Sequence, residues 1–217
     1  MKSTYMRSAA AAFLAISVVL LSSCLSSSKK TAADDPNFLG DFNPIQLENG
    51  MALTSLFGNT KPKELEIYLI PRTNIVEIYF RDMANKVCLI LEQKQRDMIQ
   101  QSALQFLEGA ENGTLADYKP SAKNAYAETT CSLGWGVTGV ARVTEKAVAQ
   151  FNHEYLDGKP YYLVRLLPGP DTADSEVYSP KVELYFSPAQ LRDFCAAIDQ
   201  SALQALVDER EAKAYAY

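Results

Sequence analysis

The chain has 217 residues, 47% of them hydrophobic, with 26 acidic against 21 basic residues and a formal net charge of −5. That apolar share supports a packed core and excludes wholesale disorder. The acidity argues against nucleic acid as a partner, because phosphate recognition needs a basic face, and against broad electrostatic adhesion to anionic lipid.

The first 23 residues have three parts. Lys2 and Arg7 make a positive start, residues 9–21 form an apolar core, and small residues lead to Cys24. The pattern is that of a secretory signal whose core is too short to span a bilayer by preference. Leu21-Ser22-Ser23-Cys24 resembles the lipobox of bacterial lipoproteins. The resemblance implies a diacylglycerol on the Cys24 thiol, cleavage before Cys24, and acylation of the freed amine. Two or three acyl chains, at roughly 0.8 kcal/mol per buried methylene, hold a protein durably on a membrane. Leu25 stands where many lipoproteins retained at an inner membrane carry Asp, which favours the outer membrane. The expected address is therefore the bacterial cell envelope, with the lipid on Cys24 as the membrane partner. Cleavage leaves 194 residues with a formal charge of −7.

Residues 24–45 are small, polar and punctuated by Pro and Gly, and read as a lipidated flexible tether ahead of a globular domain over 46–217. Alternation over 64–70 predicts a half-buried strand, and further strands are expected over 75–80, with Val76, Ile78 and Phe80 on one face, and over 86–91, with Val87, Leu89 and Leu91 inward, separated by Pro71-Arg72-Thr73-Asn74 and by 82–85. A helix follows over 93–110, with Met98, Ile99, Ala103, Phe106, Leu107 and Ala110 as its apolar stripe. Residues 111–130 form a polar connector.

The second half has a similar plan. Strands are expected over 131–140, 147–155, 161–167 and 182–186, with Asp157-Gly158 as a hairpin signal and 168–180 as a proline-rich loop. Ser187-Pro188-Ala189-Gln190 starts a helix that carries Leu191, Phe194, Cys195, Ile198, Ala202 and Leu206 at helical spacing. Lys86-Val87, Arg96-Asp97 and Ser102-Ala103-Leu104-Gln105 recur in order as Lys181-Val182, Arg192-Asp193 and Ser201-Ala202-Leu203-Gln204. The halves 46–110 and 131–211 are candidates for a duplication. The expected class is α+β: antiparallel sheet with two helices packed on one face, with the duplication giving two related strands-then-helix halves. Strands followed by a helix resemble the topology of Whirly and PUR single-strand-binding folds, but topology does not carry function, and the charge opposes that use.

No specific catalytic, metal or nucleotide motif occurs, and no cofactor is expected. A single histidine, His153, and no close cysteine pair argue against a His- or Cys-based metal cage. Cys88, Cys131 and Cys195 allow one bridge and one leftover thiol, with the pairing open. A hairpin centred near 142–144 would set Cys131 within about two residues of His153, a candidate thiol–imidazole nucleophile. Trp135, Tyr155, Tyr161 and Tyr162 could line a partner-binding surface, against the alternative that they fill the core. Asp171, Asp174 and Glu176 lack the spacing of a calcium loop. The expected role is non-catalytic binding or assembly with another envelope protein. A thiol enzyme using Cys131 and His153, and a binder of a small apolar ligand between sheet and helices, are the alternatives.

Overall fold

The computed structural model describes residues 35–56 and 60–216, so Cys24 and the rest of the lipobox lie outside the described residues. Residues 37–217 form one compact unit. It runs β1 (Ile45–Gln46), β2 (Gly50–Ser55), β3 (Lys61–Ile70), β4 (Ile75–Asp82), β5 (Asn85–Leu91), α1 (Gln93–Glu111), β6 (Ala127–Gly136), β7 (Arg142–Leu156), β8 (Lys159–Leu166), β9 (Val182–Phe186), α2 (Pro188–Ala197) and α3 (Gln200–Ala214). Among the described residues no helix is long and apolar enough to cross a membrane.

The expected sheet with two helices on one face is not what forms. Eight strands, β2 to β9, close into an antiparallel barrel. Closure depends on β3, which has 10 residues and so can pair on both sides. Its first half pairs with β2, from Thr54↔Lys61 to Gly50↔Leu65, and its second half pairs with β4, from Glu66↔Tyr79 to Ile70↔Ile75. Strand β2 pairs in turn with β9 through Leu53↔Tyr185 and Ser55↔Glu183, joining the two halves into a ring. Nothing in the sequence pattern marks β2. Its GMALTS composition is poor in the β-branched and aromatic residues that mark strands, and its burial does not alternate cleanly. Without β2 the remaining strands make only an open sheet.

A closed barrel has one inner face, and the alternation fills it. Leu65, Ile67 and Leu69 from β3, Val76 and Ile78 from β4, Leu133 from β6 and Val164 from β8 join one buried cluster. Each fully buried side chain of this kind contributes roughly 1.5–3 kcal/mol. Helix α1 adds Ile99, Ala103 and Phe106, and the two C-terminal helices add Leu191, Phe194, Leu203 and Val207. The helices therefore share the core of the barrel. Strands β5 and β9 both end where β4 and β8 begin (Val76↔Leu91, Tyr162↔Phe186), so α1 and α2 start at the same barrel end.

Arg96 ties that end together. It is 1% exposed. Nη1 donates to the carbonyls of Asn74 (2.7 Å) and Leu91 (3.2 Å), and Nη2 to Asn74 Oδ1 (2.7 Å) and Gln200 Oε1. Asn74 holds φ at 52°, a conformation Asn tolerates, in the β3–β4 turn. One guanidinium thus fastens a turn, a strand end and α3. Burial pushes it down to about 10, so it stays charged at neutral pH.

The other end carries the tips of the β4–β5 and β6–β7 hairpins. Met83 between β4 and β5 is 81% exposed, and Val137 between β6 and β7 is 62% exposed. Ion pairs hold this end in shape: Lys63 Nζ to Asp82 at 3.3 Å, and Arg142 Nη1 to Asp171 at 2.8 Å.

Candidate ligand-binding cleft

Ser187 and Gln190 form a reciprocal capping box at the start of α2, with Pro188 in the first turn. The expected single helix then breaks. Asp199 sits in an extended conformation (φ −64°, ψ 131°) and its Oδ1 accepts the Ala202 N–H at 2.9 Å, capping α3. An Asp with this role ends one helix and begins another, which a stripe of apolar residues at helical spacing does not disclose.

The break leaves a cleft of about 540 Å³ between α2, α3 and the segment joining β1 to β2. That segment stands off because β1 and β2 both pair with β3 but not contiguously, at Ile45↔Leu69 and at Gly50↔Leu65. The Leu47 N–H to Ile67 carbonyl bond (2.8 Å) and the Asn49 Nδ2 to Glu64 Oε1 bond (2.8 Å) fix it. Leu47, Ile67, Phe194, Leu203 and Leu206 make an apolar floor. Ala196, Ala197 and Ala202, being small, leave the space between the helices open. Glu48 on one wall and Asp193 on the other are exposed at the rim, beside Gln46 and Asn49. Volume and lining match those of small-molecule sites, which are mostly apolar with a few polar groups at the edge.

The residues singled out from the sequence do not converge there. Cys131 pairs with Ala147, because the β6–β7 turn lies at 137–141 and not at 142–144. His153 is six residues further along β7, roughly 20 Å at 3.3 Å per residue. The expected thiol–imidazole pair is therefore absent. His153 is 2% exposed and fully engaged. Its Nε2–H donates to the Ala116 carbonyl (2.8 Å), and Nδ1 accepts from the Tyr126 hydroxyl (2.7 Å). Burial raises the Tyr126 hydroxyl, which keeps it a donor. Tyr118 packs against the imidazole, with ring centroids 4.6 Å apart and planes tilted by 54°. His153 thus pins the 112–126 connector across β7.

The aromatic residues are also dispersed. Tyr162 is wholly buried, hydrogen-bonded to Ser102 Oγ at 2.5 Å and stacked on Phe151. Tyr155 is half-buried and donates to the Leu115 carbonyl, and Tyr161 is half-buried opposite Glu154. Trp135 pairs with Arg142 at the far end of β7. Thirteen residues separate Arg142 from Tyr155, roughly 40 Å of strand, so Trp135 and the three tyrosines share no surface. Asp171 is buried against Arg142 and accepts the Val143 N–H, while Asp174 and Glu176 are exposed. Among the described residues no group of three or more His, Cys, Asp or Glu is placed to hold a metal.

All three described cysteines are free thiols. Desolvation pushes Cys88, Cys131 and Cys195 each up to about 12, the opposite of what a nucleophile needs.

No solved structure matches this chain. A Treponema pallidum (strain Nichols) protein described as "Uncharacterized protein" is similar, 26% identical over 191 residues, covering 86% of this chain. The chain spans 66% of that relative's length. The family model described as "Uncharacterised Treponema protein" matches residues 44–205, from β1 to the middle of α3, and on that match the chain belongs to this family.

Proposed function

We propose that this is a lipid-anchored envelope protein whose barrel binds a small apolar ligand and performs no chemistry on it. The observation that carries the reading is the cleft: an apolar floor opened by a helix break, where the titratable residues among the described lining are the rim carboxylates Glu48 and Asp193. The course of the chain supports the anchor. Leu39 N–H donates to the Pro71 carbonyl at 2.9 Å, so the N-terminal segment enters at the helix-capped end, the end that holds the cleft. Thirteen residue steps separate Cys24 from Asn37, a reach of at most about 45 Å. A lipid on Cys24 would therefore tether the barrel within that reach of a bilayer, a source of apolar ligands.

Cys24→Ser tests the anchor. The variant is expected in the soluble fraction of broken cells, with the wild-type chain in the membrane fraction and heavier by its acyl groups in mass spectrometry. A variant that stays with the membrane overturns the anchor.

A further inference from the structure

From the chemistry of its rim we infer that the cleft takes a single-chain amphiphile with an apolar tail and a cationic head group, an inference that rests on the cleft being a binding site. The tail is specified by the floor. Ile67 of β3 is a buried core residue that also borders the cleft, so the cleft lies directly against the barrel core. Phe194 and Leu203 are likewise buried, and a chain laid between α2 and α3 would extend an existing apolar layer. Apolar area removed from water drives such binding, and the pre-formed walls spare the ordering cost.

The head group is specified by charge. Glu48 on the β1–β2 segment and Asp193 on α2 stand on opposite walls of the mouth, and among the described residues neither forms an ion pair. Among the described residues no Lys or Arg lines the cleft. The nearest basic side chain in sequence, Arg192, is turned away and pairs with Glu111 of α1. A carboxylate head would meet two like charges, whereas an ammonium head would meet two opposite ones. Both carboxylates are solvent-exposed, so the preference is modest and falls with salt.

The test uses residues 37–217, which contain the whole buried core. Dodecylammonium, dodecanoate and the uncharged dodecyl maltoside are titrated by calorimetry below their micelle concentrations. Dodecylammonium is expected to bind about five- to tenfold more tightly than dodecanoate at low salt, with dodecyl maltoside between them. The double variant E48Q/D193N, which changes only exposed groups, is expected to erase the difference. Ala197→Trp, which fills the space between the helices, is expected to abolish binding of all three. If dodecanoate binds as well as the amine, the cationic class is overturned while the cleft stands as an apolar site. If none binds, or if all bind the Ala197→Trp variant equally well, the cleft reading falls together with the ligand class.

Discussion

After β5 the chain runs through α1 for 19 residues without interruption. After β9 it stops at Ala197 and restarts at Gln200, with Asp199 as the cap of the new helix. Both helical endings feed apolar residues into one core, yet only the broken one leaves room beside it. Along α1 the inward residues Ile99, Ala103 and Phe106 are packed against the barrel, and Arg96 takes the position at its start. In the broken ending the similarly placed Arg192 lies outside, on a surface pair with Glu111. The unbroken helix is fastened by a buried cation. The broken one relies on caps at both its starts and on the same cation only through Gln200 of α3, and the space it gives up becomes the candidate site.

The sharpest way to break this comparison is to remove each arginine in turn. Arg96→Ala strips four hydrogen bonds from the buried junction and leaves the Asn74 and Leu91 carbonyls without that donor. A loss of about 3 kcal/mol or more in urea unfolding is expected. Arg192→Ala removes one exposed ion pair and should change stability by no more than about 0.5 kcal/mol. Equal effects would show that the two endings are held alike.

A smaller effect concerns the thiols, one in β5, one in β6 and one in α2. Their ordinary value of 9.0 rises to about 12 on folding, so the folded chain keeps them protonated after the unfolded chain has begun to ionise. Their contribution to stability is complete below pH 9 and is lost as pH climbs from about 9 to 12. Iodoacetamide at pH 8 should therefore label none of them in the native protein and all three in urea. Rapid native labelling of Cys131 would revive a thiol chemistry that the register otherwise opposes.

Much of the local structure was legible. Residues 64–70 and 75–80 alternate in burial because one face meets the core, 86–91 is a nearly continuous apolar run, and all three strands form. Asp157-Gly158 forms its hairpin turn with φ of 49° and 74°. The Ser187 capping box starts α2 as the sequence predicts. The ring was not legible, because β2 has no strand-like composition and its pairing with both β3 and β9 is a long-range event. The Cys131–His153 pairing failed for a local reason. The bulge between Cys131 and Leu133 and the turn at 137–141 set the β6–β7 register, and neither is written in alternation. The cleft was hidden longest. It depends on Asp199 acting as a cap within what reads as one amphipathic stripe, and on the β1–β2 segment, which the sequence reading placed at the edge of the ordered domain.

The central claim, that the space beside the broken helix is a binding site, is tested most directly by methyl NMR. Dodecylammonium would be titrated into residues 37–217 carrying labelled Leu, Ile, Val and Met methyls. The account predicts saturable shifts at Leu47, Ile67, Leu203 and Leu206, with Met83 and Val137 at the opposite end of the barrel unmoved. Shifts confined to the hairpin tips, or none at saturation, would contradict it.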